Sequence, residues 1–524
     1  MDRSEARARQ WSTRLIVFVW ICSNVFDSWK LTVKSDDWAQ LVHHSMCDII
    51  LATQRPMQTP LVHLMAGVLL ACGPAVAHLV ALLPHLASAF VLRSLLSNLG
   101  TPFRFASAAT MLFVVWGADT THYLWLTSLS ITTALLTTLV AVWCFECSLR
   151  SSRAKHRLWL GLSIASTVAT ALLYEVGVVL VPVLTGVLAI REAIRRKGPD
   201  DSNARVIARA SLGVGPIVTV VIVYALFVRH VNAAGRHFHI HALSEYAGDW
   251  HMAWVGVRAL VPATMRMLIP TDRLPSTELL QARSIVPLFV GASGAALAVL
   301  HTRLVSSPDE TRELSRGVAP LALLATLAGL MPFLFSGPGF GTLAYTPFPA
   351  SDCSRAFYFA GVGASVFVAA LLDSRALRAC SIPLAQGVFV AAVFWAVFGH
   401  GVARAQWLGF QWRRARVVRD IYAQCPAVPE RTEIVLAPGL VHDPIEHVAW
   451  WEVSGALGPL YGPTRSIWSD EWPADVRQGD RSGKVRVVQG PDGSPFIADK
   501  SLCRPIAESV ADPLTKRLTG IETR

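Results

Sequence analysis

Long apolar segments alternate with short polar segments along residues 1–400 of the chain. Many of the apolar segments approach or exceed the roughly 17 to 20 residues that an α-helix needs to cross a bilayer. The pattern predicts an all-α polytopic membrane protein with about eleven membrane-spanning helices. These helices are expected at residues 15–25, 75–96, 103–116, 126–145, 158–173, 176–190, 210–228, 285–300, 318–335, 357–372 and 382–398.

The distribution of Lys and Arg predicts the orientation of the chain. Arginines precede the first apolar segment, and further clusters of Lys and Arg fall in every second loop. The short turns around Asp119 and Glu175 contain neither residue type. Because short cytoplasmic loops carry the excess of Lys and Arg, the N-terminus is expected in the cytosol. The C-terminus is then expected on the extracytoplasmic side of the cell (inner or plasma) membrane.

Three of the loops predicted on the outer face are long, at residues 27–74, 229–283 and 336–356. Long loops in compact proteins commonly carry function. Within the first loop, the apolar run 59–72 predicts an interfacial or partly re-entrant helix. A functional site is therefore expected on the outer face of a membrane domain that covers residues 1–400.

Residues 401–524 have a different composition and predict a separate unit. Residues 403–422 mix Trp and Phe with five arginines, which is typical of a helix lying along the lipid headgroups. Strand candidates at 433–437 and 485–488 are separated by Gly and Pro turns, so a small extracytoplasmic α/β or α+β domain is expected. Cys425 and Cys503 share this unit, where an oxidising compartment would permit a disulfide, but the sequence does not fix their separation.

Composition supports the membrane assignment and argues against nucleic acid as a partner. Of the 524 residues, 53% are hydrophobic and 16% are charged, which is too apolar for a soluble protein of this length. The net charge of +11 comes from cations spread over many loops. Positive-inside orientation and anionic membrane lipids explain that distribution better than one basic nucleic-acid surface does. Walker, G-x-G-x-x-G, G-x-S-x-G and H-E-x-x-H motifs are absent from the sequence, so nucleotide-driven chemistry is not expected.

Asp36 and Asp37 follow the first predicted helix on the outer face, in the sequence Ser-Asp-Asp-Trp. A carboxylate at this position could accept a proton from an acceptor hydroxyl, and a pair of carboxylates could bind a divalent cation. The alternative is a helix N-cap or a solvated loop, because Ser-Asp-Asp is also a favourable capping sequence.

Two further outer turns carry polar side chains that could line the same cavity. Asp119 and His122 lie in the second turn, where Asp119 could equally be an N-cap. Glu175 lies between two apolar segments with almost no loop to solvate it. A carboxylate at membrane depth is costly and tends to serve a function, although a structural pairing with a cation from a long outer loop would also explain it.

Arg355 and Tyr358 lie where the tenth predicted helix starts on the outer face. The guanidinium group offers a planar set of donors suited to phosphate oxygens, so a lipid phosphate is a natural ligand. The alternative is an interfacial anchor of the aromatic-belt type.

His237, His239 and His241 alternate in the fourth outer loop. On a strand all three would share one face and suggest a zinc site, and the alternative is a polar loop that faces the headgroups.

Taken together, four features resemble the GT-C superfamily of membrane glycosyltransferases, which includes protein O-mannosyltransferases and lipid A aminoarabinose transferases. They are acidic residues in the first outer loop followed by Gln54-Arg55-Pro56, the acidic-aromatic turn Asp119 to Trp125, the Tyr174-Glu175 hinge, and Arg355 with Tyr358. The resemblance covers residues 1–400, and the residues after His400 match no family.

The resemblance implies a polyprenyl-phosphate-linked sugar donor, an active site on the outer face and an inverting displacement. Asp36 or Asp37 would be the general base. Arg355 and Tyr358 would bind the donor phosphate, and Arg55 could assist. Dependence on a divalent metal ion stays open, as does the acceptor, which could be an envelope glycan, a lipid or a protein.

Two other functions fit parts of the sequence. A transporter or flippase of lipid-linked or envelope precursors would use buried acids and loop cations to line a path, but few ionisable residues fall inside the predicted helices. A membrane scaffold would present residues 401–524 to an envelope partner.

Overall fold

The computed structural model describes the helical part of the chain and a portion of its C-terminal region. The described residues are 3–26, 56–116, 126–174, 176–196, 202–233, 258, 264, 285–304, 314–334, 356–373, 382–430, 432–437, 457, 458, 460, 461, 466–469, 483–491, 494–509 and 511.

Twelve α-helices lie within these residues. They are α1 (Arg3–Trp20), α2 (Gln58–Cys72), α3 (Pro74–Asn98), α4 (Phe103–Val114), α5 (Leu129–Arg150), α6 (Arg153–Leu173), α7 (Val176–Arg195), α8 (Asn203–Ala233), α9 (Ile285–Leu304), α10 (Leu314–Leu334), α11 (Ala356–Leu372) and α12 (Ile382–Gln424). The helical fold class is confirmed over the described residues.

Six of the helices in the described part of the chain are long and apolar enough to cross a membrane. They are α3, α5, α7, α9, residues 210–227 of α8 and residues 383–402 of α12. α2, α4 and parts of α10 and α11 form shorter apolar helices. The predicted total of eleven spans therefore stays a prediction, although each of those eleven apolar segments is helical over nearly all its described residues.

Several helices extend beyond the predicted bounds, and α1, α8 and α12 do so by the most residues. α1 starts at Arg3, ahead of the apolar run from Leu15, because Ala, Arg, Glu and Gln are good helix formers. It continues into one π-helical turn, Ile21–Val25. α12 is a single helix of 43 residues, about 65 Å long at 1.5 Å per residue. It joins the predicted span 382–398 to the segment 403–422 without a break, and the position of that segment relative to the headgroups stays a prediction.

Small residues allow α10 and α11 to pack closely. A Cβ atom at Gly329 would lie 2.6 Å from the main-chain nitrogen of Ala360. A Cβ atom at Gly363 would overlap main-chain atoms of Thr326 and Ala322. Helix association in lipid depends on such close approach, so these two glycines define the contact between α10 and α11.

Side-chain hydroxyl groups connect α5 to its neighbours. Thr132 Oγ1 donates to the Ala81 carbonyl at 3.1 Å, which links α5 to α3. The hydroxyl groups of Thr137 and Thr170 lie 2.8 Å apart and link α5 to α6. Such interhelical hydrogen bonds supplement apolar packing between membrane helices.

Arginines bind main-chain carbonyls at the predicted cytoplasmic ends of two helices. Arg191 Nη2 donates to Leu99 O at 3.0 Å, at the end of α3. Arg196 Nη2 donates to Leu149 O at 2.5 Å, in the last turn of α5. The last carbonyls of a helix lack partners within it, and cations near them also complement the helix dipole.

The described part of the C-terminal region forms a four-stranded sheet with the order β2-β1-β3-β4. The strands are β1 (Thr432–Leu436), β2 (Ser466–Ser469), β3 (Gly483–Gln489) and β4 (Pro495–Ile497). β1 is parallel to β2 and β3, whereas β3 and β4 are antiparallel. β1 and β3 match the two predicted strands, and every residue of the central strand β1 is buried.

The end of α12 is attached to this sheet by side-chain hydrogen bonds and a disulfide. Gln424 donates to Pro495 O at 2.7 Å and accepts from Ile497 N at 3.1 Å, so its amide binds β4. Cys425 and Cys503 form a disulfide. Tyr461 donates to Cys425 O at 2.6 Å, and burial raises the pKa of its phenol.

A second apolar core joins the sheet to the membrane helices. It contains side chains from α2, the first turns of α3 and α5, the last turns of α12, and strands β1, β3 and β4. Its α2 members include Met65 and Leu69, and its sheet members include Ile434 and Val487. The helix within the first long loop therefore belongs to the same core as the C-terminal sheet.

Candidate functional site

Most residues that the sequence identifies for catalysis or binding lie outside the described residues. They are Asp36, Asp37, Arg55, Asp119, His122, Glu175, His237, His239, His241 and Arg355. Tyr358 lies inside them. The roles of the others stay predictions, but the structure shows where the helices next to their segments begin and end.

A buried polar cluster lies where these helices meet at the predicted outer face. We call it the outer polar cluster, and it consists of Ser23, Asn24, His85, Val114, Trp116, Tyr358, His400 and Arg404. Its members come from α3, α11, α12, the π-helical turn after α1 and the C-terminal end of α4.

The carbonyl of Val114, in the last turn of α4, is the centre of the cluster. Asn24 Nδ2 donates to it at 2.9 Å, and Ser23 Oγ donates to it at 3.4 Å. Both side chains are buried, and both belong to the π-helical turn after α1. This turn therefore fastens the end of α1 to the end of α4, and such π-helical turns are frequent at functional sites.

His85 in α3 joins the same carbonyl to Tyr358 in α11. Its Nε2 atom lies 3.5 Å from Val114 O, and its Nδ1 atom lies 3.0 Å from the Tyr358 hydroxyl oxygen. Because a carbonyl only accepts, Nε2 carries a proton, and in the neutral ring Nδ1 accepts from the tyrosine hydroxyl. The imidazole also packs on Phe113, with ring centroids 4.9 Å apart.

α12 contributes two further contacts to helix ends. His400 Nε2 donates to Trp116 O at 3.2 Å, just beyond α4. Arg404 Nη2 donates to Ser23 O in the π-helical turn after α1. The Arg404 side chain is only 3% exposed, so the α12 segment beyond residue 400 buries a cation next to the end of α1.

The hinge between α6 and α7 lies beside the start of α11. The rings of Tyr174 and Phe359 stack with centroids 6.0 Å apart. At the end of α6, Met57 N donates to Leu172 O at 3.3 Å. The residue before α2 and the start of α11 therefore both contact the last residues before the hinge.

The chemistry of the described cluster is that of a positioning scaffold. Its hydroxyl, amide, imidazole and guanidinium groups mostly point at main-chain carbonyls, and none of its eight members is a carboxylate. Within the described residues, no group of three His, Cys, Asp or Glu side chains could hold a metal ion.

The buried polar face of α12 is not evident from the composition of residues 403–422, whose arginines are all expected to face the headgroups. In the structure Arg404 and Arg414 are buried, whereas Arg416 is exposed. Gln411 is buried as well. The signal in the sequence is spacing, because residues 404, 411 and 418 are seven apart and a seven-residue repeat keeps side chains on one helix face.

No protein-family model matches the chain, and no curated protein matches it. Solved structures that it resembles include the Archaeoglobus fulgidus oligosaccharyltransferase in complex with Zn and sulfate, at a TM-score of 0.39 and 12% identity over 85% of this chain. The chain spans 61% of the length of that protein.

Two further structures resemble the chain. The Archaeoglobus fulgidus oligosaccharyltransferase AglB, in complex with an inhibitory peptide and a dolichol-phosphate, has a TM-score of 0.40 and 12% identity over 98% of this chain and 77% of its own. ArnT from Cupriavidus metallidurans, in the apo state, has a TM-score of 0.35 and 12% identity. The match covers 84% of this chain and 83% of ArnT. These proteins are GT-C membrane glycosyltransferases, the superfamily that the sequence resembles. At these TM-scores and identities, no property of theirs is transferred to this chain.

Proposed function

We propose that the chain is a membrane glycosyltransferase that moves a sugar from a polyprenyl-phosphate-linked donor to an acceptor on the extracytoplasmic face. Asp36 or Asp37 acts as the general base. Arg355 binds the donor phosphate together with Tyr358 and Arg55. The acceptor is a glycan, lipid or protein of the cell envelope.

The convergence of helix ends at the outer polar cluster is the observation that supports this proposal. The π-helical turn after α1 lies in the cluster and precedes the segment with Asp36 and Asp37. The end of α4 lies there and precedes Asp119, and Tyr358 lies there just after Arg355. Segments far apart in the sequence thus start from one region, as a composite active site requires.

The proposed reaction is a single displacement at the anomeric carbon. An acceptor hydroxyl oxygen attacks this carbon, and the bond from the carbon to the lipid phosphate oxygen breaks. The hydroxyl proton passes to the carboxylate of Asp36 or Asp37. The electron pair of the broken bond stays on the phosphate, and Arg355 stabilises the added negative charge. The displacement inverts the anomeric configuration.

The buried charges of the helices favour an enzyme over a transporter or flippase. Among the side chains that the structure describes in α1–α12, Glu146 is the one buried carboxylate. It pairs with Arg150 at 2.7 Å, near the predicted cytoplasmic end of α5. A path lined by buried acids would place a series of them along the interior of the membrane domain, and the described helices carry no such series. Their other buried ionisable side chains include His78, His85, His301, His400, Arg404 and Arg414.

The test starts with glycan analysis of envelope polymers from a deletion strain, which identifies the sugar and the acceptor. Transfer by the purified protein is then measured for Asp36→Asn and Asp37→Asn. At least one substitution should lower transfer by about 10²- to 10⁴-fold, the usual contribution of a general base, without lowering abundance in the membrane.

The matched control is Asp420→Asn, which removes a partly exposed carboxylate of α12 that faces Arg416 at 3.8 Å. This variant should keep wild-type transfer. Full activity of both Asp36→Asn and Asp37→Asn would falsify the general-base assignment.

A further inference from the structure

We infer that His400 and Arg404 are positioning residues that bind the ends of the two helices leading into the proposed catalytic segments, and hold them in a fixed relation to the C-terminal sheet. The inference rests on the proposed function, because it names residues that act on the same site from outside it.

The contact made by Arg404 stabilises the end of α1. The Ser23 carbonyl lies in the final, π-helical turn. Carbonyls in the last turn of a helix have no hydrogen-bond donor within that helix. Arg404 supplies a donor from another helix, and its positive charge lies at the negative end of the α1 dipole. Since both residues are buried, water cannot replace this donor without opening the contact between α1 and α12.

His400 makes the equivalent contact at the end of α4. Its imidazole is buried and donates to Trp116 O, the last described carbonyl before residues 117–125. Residues 400 and 404 are one helical turn apart and therefore share a face of α12. One turn of α12 thus binds both helix ends, and the segments with Asp36, Asp37 and Asp119 follow directly from them.

The same helix carries the sheet at its other end. Gln424 binds β4 through both atoms of its amide, and Cys425 is cross-linked to Cys503. Because α12 is continuous from His400 to Gln424, one helix joins the sheet to the two helix ends. Loss of the Arg404 contact should therefore disturb the geometry of transfer more than the binding of the donor.

The test compares Arg404→Met and Arg404→Lys with Arg416→Met. Methionine keeps an unbranched apolar stem but removes the guanidinium group and its donors. Lysine retains one donor group and the charge, and Arg416 is an exposed arginine on the same helix. Arg404→Met should lower kcat about ten- to hundredfold, the loss expected from a small misplacement of reacting groups, with donor KM unchanged. Arg404→Lys should restore part of the rate, and Arg416→Met should match the wild type.

A second readout is independent of sugar transfer. Hydrogen–deuterium exchange of peptides covering residues 20–26 and 110–116 should be faster in Arg404→Met than in the wild type, and unchanged in Arg416→Met. If the wild-type protein transfers no sugar, the proposed function fails, whereas the exchange experiment still tests the contact. Unchanged exchange in Arg404→Met overturns the inference, and so does faster exchange with an unchanged kcat. If Arg404→Met does not reach the membrane, Arg404→Gln replaces it in both measurements and the same outcomes decide.

Discussion

Tyr358 lies in a buried environment beside His85, three residues after the arginine proposed to bind the donor phosphate. Its side chain is 3% exposed, and its hydroxyl group bonds to the imidazole of α3. Direct donor binding by Tyr358 stays a prediction. The observed geometry supports a role through His85, which in turn holds the end of α4 at Val114.

A double-mutant cycle separates these two roles of Tyr358. Tyr358→Phe removes one buried hydrogen bond and should lower stability by about 1 kcal/mol. If the residue acts through His85, the effects of Tyr358→Phe and His85→Leu on thermal stability and on kcat should be clearly less than additive. Ser365→Ala is the control, because the Ser365 hydroxyl donates to Val362 O within its own helix. The effects of Ser365→Ala and His85→Leu should therefore be additive. Additive losses for Tyr358 and His85 would contradict the coupling.

Single residues also show what the sequence could and could not reveal about the site. Runs such as Ser-Asp-Asp and Ser-Arg-Ala-Phe-Tyr are visible in the sequence as polar groups between apolar segments. The contacts of Ser23, Asn24 and His85 are not visible, because they bind main-chain carbonyls and not side chains of complementary charge. Hydrogen bonds to the backbone leave no pattern of paired residue types in a sequence.

At the level of secondary-structure elements, the length of apolar segments predicts the helices well and the strands poorly. The helices follow from uninterrupted apolar segments whose ends are marked by Arg, Gly or Pro. β2 and β4 were missed because they have four and three residues, too few for an alternating pattern to be read. The continuity of α12 was missed because its composition changes near residue 400 while its helical backbone does not.

The close contact of α10 and α11 makes one glycine critical. Gly363→Ala would push a methyl group into the backbone of α10, and overpacking of this kind should cost about 1 to 3 kcal/mol. The midpoint of thermal unfolding in detergent should therefore fall.

Gly387→Ala in α12 provides the matched control. Among the described residues, apart from its chain neighbours and the nearby backbone of α12, no atom lies within 4 Å of a Cβ built at this glycine. Its substitution should be neutral or stabilising by up to about 1 kcal/mol, because alanine favours the helical conformation. A similar thermal midpoint for the two variants would show that α10 and α11 are not in tight contact.

At the scale of the whole molecule, the described residues form two apolar cores with different structural roles. One core holds the membrane helices together, and the second joins α2, the first turns of α3 and α5, and the C-terminal sheet. The sequence predicts a membrane region and a C-terminal region but not the contact between them. Whether distant segments pack into the same core depends on the three-dimensional fold. The local periodicity of apolar residues does not show it.

The disulfide at the end of α12 tests the predicted side of the membrane. Disulfides persist in oxidising compartments, so an extracytoplasmic C-terminal region should contain the bond between Cys425 and Cys503 in cells. When the denatured protein is labelled with a maleimide polymer, a sample that was first reduced should carry two more labelled cysteines than a non-reduced sample. The double variant Cys425→Ser, Cys503→Ser should lack this gain, and a wild-type protein without the gain would contradict the predicted topology.

The unbroken backbone of α12 also limits how this protein can change during evolution. Each residue of an α-helix rotates the chain by about 100°, so one residue inserted between Arg404 and Gln424 would swing the sheet around the helix axis and away from α2. An insertion of about seven residues, close to two full turns, would keep the sheet on the same side of the helix but shift it along the helix axis by about 10 Å. Homologous chains should therefore hold the length of this segment constant even where its side chains diverge.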